Sequence, residues 1–365
     1  MKIAMVTADI KTEPGRGIAV YTEELSEGLK KNGLDVHQLF YKRGSATSFL
    51  RLLPQLRKYD IVHIQYEYGL FGRFAGMKFV PLLLIMRFLG VKKIVITMHT
   101  IHDKKEKLIH KSRLWIGLRK NIIYPFQNII MGLFSDAIIF HTNFLAERMH
   151  EVYNVNRKKL FVIPQVVKDN TSIIDKQTAK KKLGIKGPLY LMIGNVGYQK
   201  GYDIIIKHSK EIGKNIILFG STVEKGVTYL DKLKEYVKEN HLEKNVIINT
   251  EIDRLGTGNK KWWLYFSAAD LVLLPYRSMT TSAIFINAMQ AHKPAVGSNT
   301  PYFNEIAKKY GCIKVAKTED DYPKVIKEAM KNLKQMGKEA RRFHEDNSFR
   351  VISQEYKRLY NKLIK

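Results

Sequence analysis

The sequence predicts two α/β domains, each built around a doubly wound parallel sheet, and three observations lead to this fold class. The chain has 365 residues, more than a single hydrophobic core usually supports. Hydrophobic residues make up 45% of it and aromatic residues 11%, which is typical of globular proteins and excludes a disordered chain. Short apolar runs alternate with amphipathic segments of helical length, as they do in doubly wound sheets.

The apolar runs form two series, separated by a polar stretch near residue 170. Strands are predicted in the first series at residues 3–6, 36–40, 61–64, 93–97, 137–140 and 160–163, and in the second at residues 189–193, 215–219, 245–248, 269–274 and 295–296. Residues 349–365 have apolar side chains at helical spacing. We therefore expect two Rossmann-like domains with a cleft between them, and ligands beyond the carboxyl ends of the strands.

The composition narrows the partners and the compartment. The net charge of +28 biases the protein toward polyanions such as nucleotide phosphates, anionic lipid or nucleic acid. Nucleic acid is the least favoured of these, because the chain has no helix-turn-helix, zinc or OB-type pattern. The one cysteine, Cys312, excludes an internal disulfide. Because the sequence shows neither a signal peptide nor a membrane-spanning run, we expect a cytoplasmic protein.

Basic and apolar residues are interleaved around Trp115, just before the apolar stretch at residues 122–134. This pattern is typical of a helix that lies on an anionic membrane. The alternative is a solvated basic face on a core helix. The number of apolar neighbours favours membrane contact.

Two loops of the first series have side chains suited to ligands. Gly15 and Gly17 follow the first strand and would let backbone amides approach a ligand, although the spacing of the dinucleotide fingerprint is absent. Gln65, Tyr66 and Glu67 follow the third strand and supply the donors, acceptors and rings that a hydroxyl-rich ligand needs. A purely structural loop is the alternative for the second group.

His99 directly follows the fourth predicted strand, so its side chain should point into the crevice. It is a candidate for catalysis or for contact with a sugar, and a histidine satisfied by nearby backbone is the alternative. His102 and Asp103 lie further along the loop. Their spacing matches no zinc pattern, so we predict no metal site.

Two loops of the second series predict a phosphate site. Residues 194–201 combine three glycines with Lys200, whose compact charge suits a diphosphate. Thr281 and Ser282 stand where a helix over residues 283–291 should begin, and hydroxyl residues cap such helix starts. The amides and the dipole at a helix start also attract anions.

Over nearly its whole length the chain resembles the family 4 (group 1) glycosyltransferases of GT-B architecture. The stretches that carry the resemblance are residues 65–72, 95–100, 194–201, 274–296 and 304–306. The resemblance implies transfer of a sugar from a nucleotide-sugar, usually with retention of the anomeric configuration and without a bound metal or other cofactor. UDP- and GDP-linked donors are both open. The implied organisation is an acceptor-side domain, a donor-side domain and a helix that crosses back to the first domain, at residues 1–168, 169–345 and 346–365.

The resemblance also assigns roles to residues. His99 and Lys200 are the implied catalytic residues, because His99 would contact the transferred sugar and Lys200 would hold the departing diphosphate. The residues expected to face the acceptor or the sugar are Gln65, Tyr66 and Glu67. The other residues expected to bind the donor are Gly15, Gly17, Gly194, Asn195, Thr222, Thr281, Ser282, Asn287 and Glu305.

The sequence departs from the family at four positions. Two glutamates typical of the family are Met279 and Asn287 here, the arginine often found in the lysine loop is Asn195, and a common histidine is Gln165. One subgroup, to which residues 65–69 point, also lacks the glutamate pair, so loss of activity does not follow. An amide at position 287 would have to replace a carboxylate on the donor ribose.

The leading hypothesis is a glycosyltransferase that acts at a membrane on a lipid-linked or cell-envelope glycan. The missing glutamates motivate a second hypothesis, a catalytically silent GT-B protein that serves as a complex subunit or sugar sensor. A metal-dependent GT-A transferase is a further alternative. Its Asp-x-Asp signature is approximated only by Glu251 and Asp253, which we interpret as a loop.

Overall fold

The chain divides into two compact units, each with one six-stranded parallel sheet. The computed structural model describes residues 1–9, 17–72, 76–102, 113–170, 172–222, 228–250 and 260–365. The first unit comprises Met1–Val166 and Phe349–Lys365, and the second comprises Val167–Ser348. The predicted fold class, two Rossmann-like domains with parallel sheets, is confirmed.

The sheet of the first unit has the strand order β2-β1-β3-β4-β5-β6. Its strands are β1 Lys2–Ala8, β2 Asp35–Tyr41, β3 Ile61–Tyr66, β4 Ile94–Met98, β5 Ala137–Phe140 and β6 Leu160–Val162. Its helices are α1 Gly17–Lys31, α2 Ala46–Leu50, α3 Leu53–Leu56, α4 Phe79–Phe88, α5 Arg113–Leu118, α6 Tyr124–Phe134 and α7 Asn143–Tyr153. A π-helical turn, Arg119–Ile123, joins α5 to α6. Every residue of β3, β4 and β5 is buried because helices cover both faces of a parallel sheet.

The sheet of the second unit has the strand order β12-β11-β10-β7-β8-β9. Its strands are β7 Tyr190–Ile193, β8 Ile216–Phe219, β9 Val246–Asn249, β10 Leu271–Leu274, β11 Ala295–Ser298 and β12 Ile313–Ala316. Its helices are α8 Lys176–Leu183, α9 Tyr202–Lys207, α10 Ser209–Ile212, α11 Tyr229–Glu239, α12 Lys260–Ala268, α13 Ala283–Gln290, α14 Pro301–Lys309, α15 Tyr322–Lys331 and α16 Leu333–Asp346.

The C-terminal helix, α17 (Phe349–Ile364), belongs to the first unit. The hydroxyl of Tyr360 lies 2.6 Å from Nδ1 of His63 on β3, and the hydroxyl of Tyr356 lies 3.2 Å from that of Tyr21 on α1. A Cβ built on Gly28 of α1 would lie 2.1 Å from the ring of Phe349. Glycine therefore lets α17 pack closely against α1.

All the strands predicted from the sequence are present, with bounds that differ by at most two residues at either end. β12 was not predicted because Lys314 interrupts its apolar residues. The helix predicted at residues 283–291 is α13, and the terminal helix is α17. The stretches around Gly15, Asp103 and the Glu251–Asp253 pair lie outside the described residues. Among the helices that the structure describes, none is long and apolar enough to cross a membrane.

Candidate functional site

The second unit has a switch point in its sheet between β7 and β10. Chain order runs outward from there in both directions, so the loops after these two strands diverge and leave a crevice at the carboxyl edge. The loop after β7 is residues 194–201, which contains Lys200, and the loop after β10 is residues 275–282, which ends at Ser282. The two predicted phosphate-binding segments therefore flank the same switch point.

Two glycines let the loops of this edge touch backbone to backbone. Gly201 has a φ of +63°, and a Cβ built on it would lie 2.0 Å from the carbonyl oxygen of Pro275. A Cβ built on Gly220, which follows β8, would lie 2.0 Å from the carbonyl oxygen of Gly194. Real Cβ atoms do not approach so closely, so only glycine fits at either position.

The ring of Tyr276 brings Lys200 and Ser282 together. The ammonium nitrogen of Lys200 lies 3.8 Å from the centroid of the Tyr276 ring, a distance at which a cation is attracted to the ring face. The hydroxyl of Ser282 donates to the hydroxyl of Tyr276 at 3.4 Å. Tyr276 is itself buried in the core of the unit. A fixed aromatic ring thus carries the cation on its face and the serine on its edge.

Ser282 also begins α13. Its backbone is extended and its hydroxyl oxygen accepts from the amide of Phe285 at 3.1 Å, which is an N-cap. The first turn of a helix has amides directed away from its axis and a partial positive charge. The arrangement can therefore bind an anion between the start of α13 and Lys200.

An ion pair braces the lysine loop without using Lys200. Arg277 donates two hydrogen bonds to the carboxylate of Asp203, at 2.8 and 2.7 Å, and its guanidinium lies 4.2 Å from the Tyr198 ring centroid. Burial alone raises the pKa of Asp203, but hydrogen bonds from Arg277 and Tyr229 outweigh burial and lower it below its usual value. Within the described part of the chain Lys200 forms no ion pair, so its charge is available to a ligand.

The remaining donor-side candidates lie on neighbouring loops of the same unit. Asn195 is exposed in the lysine loop, and Thr281 is half-buried directly before the cap of α13. Thr222 is half-buried in the loop after β8, and Glu305 is half-buried on α14, which follows β11. Gly194 ends β7 with a φ of +119°.

Asn287 has several partners inside the second unit. The side chain is buried inside the unit. In the amide orientation that gives both its oxygen and its nitrogen a partner, the oxygen accepts from the indole nitrogen of Trp262 at 3.2 Å, and the nitrogen donates to the side-chain oxygen of Gln290 and to the carbonyl of Ala283. Met279, at the other position where the family has a glutamate, packs against the hydrophobic core. These contacts orient the Asn287 side chain within the unit, and its contact with the donor stays a prediction.

In the first unit, His99 and Gln65 form one hydrogen-bonded pair. Nε2 of His99 lies 2.9 Å from the side-chain oxygen of Gln65, and the amide of His99 donates to the carbonyl of Tyr66. Since an amide oxygen only accepts, Nε2 carries the proton and Nδ1 is left as an acceptor. Both residues stand at the carboxyl edge of the sheet, at the ends of β4 and β3.

Tyr66 does not belong with this pair. Its ring is fully buried and packs against Phe71 and Phe79, and its hydroxyl accepts from Gln127. The prediction that Tyr66 faces an acceptor or a sugar is therefore corrected, because the side chain is part of the core. Glu67 is half-buried directly after the strand, and Gly17 is the first residue of α1.

His141 is a further candidate residue that the sequence pattern did not single out. It follows β5 as His99 follows β4, and the two rings lie 5.1 Å apart, with Tyr21 5.3 Å from His141. Nδ1 of His141 donates to the carbonyl of Ile163 at 3.0 Å, so Nε2 is the unprotonated nitrogen and can accept a hydrogen bond. This Nε2 is buried and has no hydrogen-bond partner in the described structure. A histidine after each of two adjacent strands was the signal that could have found it.

Burial holds three histidines of this unit, His63, His99 and His141, in the neutral form. Burial and the neighbouring His141 lower the pKa of His63 to about 3, and burial lowers the pKa of His141 to about 4. Burial, with His141 and His63 nearby, also lowers the pKa of His99 well below its usual value. At neutral pH these imidazoles can exchange hydrogen bonds with sugar hydroxyls but carry no charge.

Two Rossmann-like units, each built on one six-stranded parallel sheet, are the elements of the GT-B architecture. Two family models match the sequence: "Glycosyl transferases group 1" over residues 175–347 and "Glycosyltransferase Family 4" over residues 38–170. Together the matched ranges cover most of the chain. The chain belongs to the group 1, family 4 glycosyltransferases.

Solved structures with the same fold include several glycosyltransferases. The sucrose-phosphate synthase of Thermosynechococcus elongatus superimposes with a TM-score of 0.72 at 15% identity, over 100% of this chain and 99% of that chain. HepE of Anabaena, solved in complex with UDP, has a TM-score of 0.70 at 14% identity, over 99% of this chain and 100% of that one. At these identities the likeness concerns the fold.

A characterised relative matches over part of its length. The mannosylfructose-phosphate synthase of Agrobacterium fabrum is 27% identical over 182 residues, which are 47% of this chain and 39% of that protein. The match therefore spans less than half of the relative.

The buried histidines predict acid sensitivity of the first unit. The unfolded chain takes up protons on these imidazoles as the pH falls below about 6.5, whereas the folded unit does not until the pH approaches 4 to 3. Stability is therefore complete above about pH 6.5 and is lost below it, by roughly 1 kcal/mol per pH unit for each histidine.

Urea unfolding at pH 7 and at successively lower pH values measures this loss. A His63→Gln variant should show a shallower dependence on pH, while a variant of the exposed His37, His37→Gln, should match the wild type. A stability that does not change as the pH falls from 7 toward 5 would contradict the prediction.

The close contact between Gly201 and Pro275 predicts that a larger residue at position 201 destabilises the second unit. Gly201→Ala should destabilise the second unit by about 2 kcal/mol or more, for two reasons. The new Cβ would collide with the backbone of Pro275, and alanine is strained at the positive φ of this position. Gly184 is the matched control, since its φ is +67° but nothing lies within 4 Å of a Cβ there. Gly184→Ala should cost only about 1 kcal/mol.

Urea unfolding followed through the fluorescence of Trp262 and Trp263 compares the two variants. Equal losses of stability would show that the backbone conformation alone matters, and that the loops do not depend on the close contact.

Proposed function

We propose that the protein transfers a hexosyl group from a UDP- or GDP-linked sugar to a lipid-linked or cell-envelope glycan, with retention of configuration and without a metal ion. The observation that carries the proposal is the placement of Lys200 and Ser282 on the same ring at the switch point of the second unit. The fold family supports the reaction class, and the HepE structures with UDP and UDP-glucose support a nucleoside diphosphate donor.

The leaving group of such a reaction is a nucleoside diphosphate, whose negative charge grows as the bond to the sugar breaks. Fixed donors directed at that charge lower the barrier because they need no reorganisation. Here Lys200 supplies one full charge and the start of α13 supplies amides and a partial charge. A metal ion is not needed for this task, which is why we propose a metal-independent transferase.

The first unit has a different chemical character, which suits the sugar. His99, Gln65 and His141 are neutral groups with both donors and acceptors. Sugar hydroxyls need such partners, and a neutral imidazole next to the reacting carbon does not repel the positive charge that develops on the sugar. We propose that His99 contacts the transferred sugar, that Gln65 orients His99, and that Nε2 of His141 accepts a hydrogen bond from a sugar hydroxyl.

The acceptor is proposed from surface properties. The net charge of +28 and the exposed apolar side chains of α4 and α6 fit a protein that meets its acceptor at a membrane. We further propose that the reaction takes place on the cytoplasmic side of that membrane.

A second candidate function is a catalytically silent sugar-binding subunit. It is favoured by two observations: the partly buried Met279 packs against the core where the family has a glutamate, and the amide of Asn287 is bonded to Trp262. Under this candidate the nucleotide-sugar still binds, but no sugar is released or transferred.

A panel of nucleotide-sugars tests both candidates. The cognate donor should raise the melting temperature, and Lys200→Ala should weaken its affinity about 10- to 100-fold, the value of a charge-assisted hydrogen bond. Lys210→Ala is the control, since Lys210 is an exposed lysine of the same unit that lies outside the lysine loop.

Slow hydrolysis of the bound donor, measured as release of the nucleoside diphosphate, separates the two functions. Hydrolysis that Lys200→Ala reduces supports the transferase, and binding without hydrolysis supports the silent subunit. The absence of a shift with every nucleotide-sugar and with free nucleoside diphosphates would reject both.

A further inference from the structure

Two adjacent helices of the first unit expose a continuous set of large apolar side chains. α4 packs against α6, and Nε of Arg87 on α4 donates to the carbonyl of Phe134 at the end of α6, at 2.6 Å. This bond brings the C-terminal ends of the two helices together, so Phe88 and Leu133 lie at the same end. We define the apolar surface as Leu84, Ile85, Phe88, Leu114, Leu118, Ile122, Phe126, Ile129 and Leu133, all of them exposed.

The exposure is large for side chains of this kind. Phe88 is 92% exposed, Leu114 is 88% exposed and Leu133 is 63% exposed. The residues from Leu114 to Leu133 recur every three or four positions, which places them on one face of the helical segment formed by α5, the π-helical turn and α6. Single exposed apolar residues are common, but a contiguous exposed face marks an interaction site.

The helix α6 has two polar side chains on its buried face, beside Tyr124 and Met131, and an apolar outer face. Gln127 and Asn128 face the interior, where Gln127 donates to the hydroxyl of Tyr66 and Asn128 accepts from the hydroxyl of Tyr68 at 2.9 Å. The opposite face carries Phe126, Ile129 and Leu133. A helix with polar side chains on its buried face and an apolar outer face is suited to an apolar medium on its outer side.

The charges around the apolar surface are mainly positive, and the exception is Asp136 directly after α6, which pairs with Arg87 and Lys93. Residues 76–102 and 113–135 contain no aspartate or glutamate, and they contain seven lysines and arginines. A further cation lies at the end of α6, where the ammonium of Lys159 donates to the carbonyls of Gly132 and Leu133 at 2.9 and 3.0 Å. The partner of this surface therefore has to accept apolar side chains and carry negative charge.

A second copy of the chain does not meet these requirements. In a two-fold dimer the same surface would face itself, so the lysines and arginines of one copy would meet those of the other, and Asp136 of each copy is already paired with Arg87 and Lys93. An anionic lipid layer offers an apolar interior beneath a negative headgroup layer, and it fits both properties.

We propose that the apolar surface docks the protein on an anionic membrane, with the side chains of α4 and of the segment from α5 to α6 inserted below the headgroups and the flanking lysines and arginines among the lipid phosphates. This docking is a property of the first unit and does not require a bound nucleotide-sugar. It would bring the unit with His99 to a membrane-embedded acceptor.

Co-sedimentation of the full-length chain with vesicles tests the proposal. The vesicles are phosphatidylcholine alone, or phosphatidylcholine with about one third phosphatidylglycerol. The wild type should bind the anionic vesicles at least about tenfold more tightly, and this preference should shrink as salt rises from about 0.1 M to 1 M. The double variant Phe88→Ser/Leu133→Ser should bind at least about tenfold more weakly than the wild type, because two large side chains no longer leave water.

The matched control is Ile247→Ser/Ile364→Ser, which removes two exposed apolar side chains outside the surface, on β9 and α17. It should bind like the wild type, and both double variants should keep the wild-type melting temperature. Failure of the wild type to bind anionic vesicles, or equal binding by the two double variants, overturns the proposal. So does a concentration-dependent dimer that the Phe88→Ser/Leu133→Ser variant dissociates in the absence of vesicle binding. No nucleotide is present, so these outcomes are independent of the test of transferase activity.

Discussion

The contact between Lys200 and the ring of Tyr276 is the interaction on which the proposed donor site depends. Lysine has a long side chain, and a charge that no neighbour holds would be spread over many positions. The buried ring fixes that charge beside the start of α13, since Ser282 bonds to the same tyrosine. The contact in turn requires the loops after β7 and β10 to touch, which Gly201 permits.

The candidate residues of the two units differ in charge. In the second unit, the Arg277–Asp203 pair is neutralised internally, and the charge of Lys200 is left for an anion. In the first unit, burial removes charge from His63, His99 and His141 and leaves neutral hydrogen-bonding groups. A charged leaving group and an uncharged sugar need these two environments, and a transferase of this family handles both.

The sequence predicted what depends on position along the chain. Strand ends determine which loops lie at the carboxyl edge, so Lys200, Ser282, His99 and Gln65 could be chosen without coordinates. It could not predict which way a side chain at a strand end points: Tyr66 is the last residue of a strand buried on both faces, and its ring packs into the core. The contacts of Lys200 with Tyr276 and of Asn287 with Trp262 join residues far apart in sequence, and no local pattern encodes them.

The affinity for inorganic pyrophosphate, measured by calorimetry, tests the central claim most directly. If the ring of Tyr276 positions Lys200, Tyr276→Leu should weaken pyrophosphate binding about fivefold, Tyr276→Phe should leave it nearly unchanged, and Tyr276→Leu should have no further effect in a Lys200→Ala background. An equal loss in both backgrounds, or no loss in either, would contradict the account.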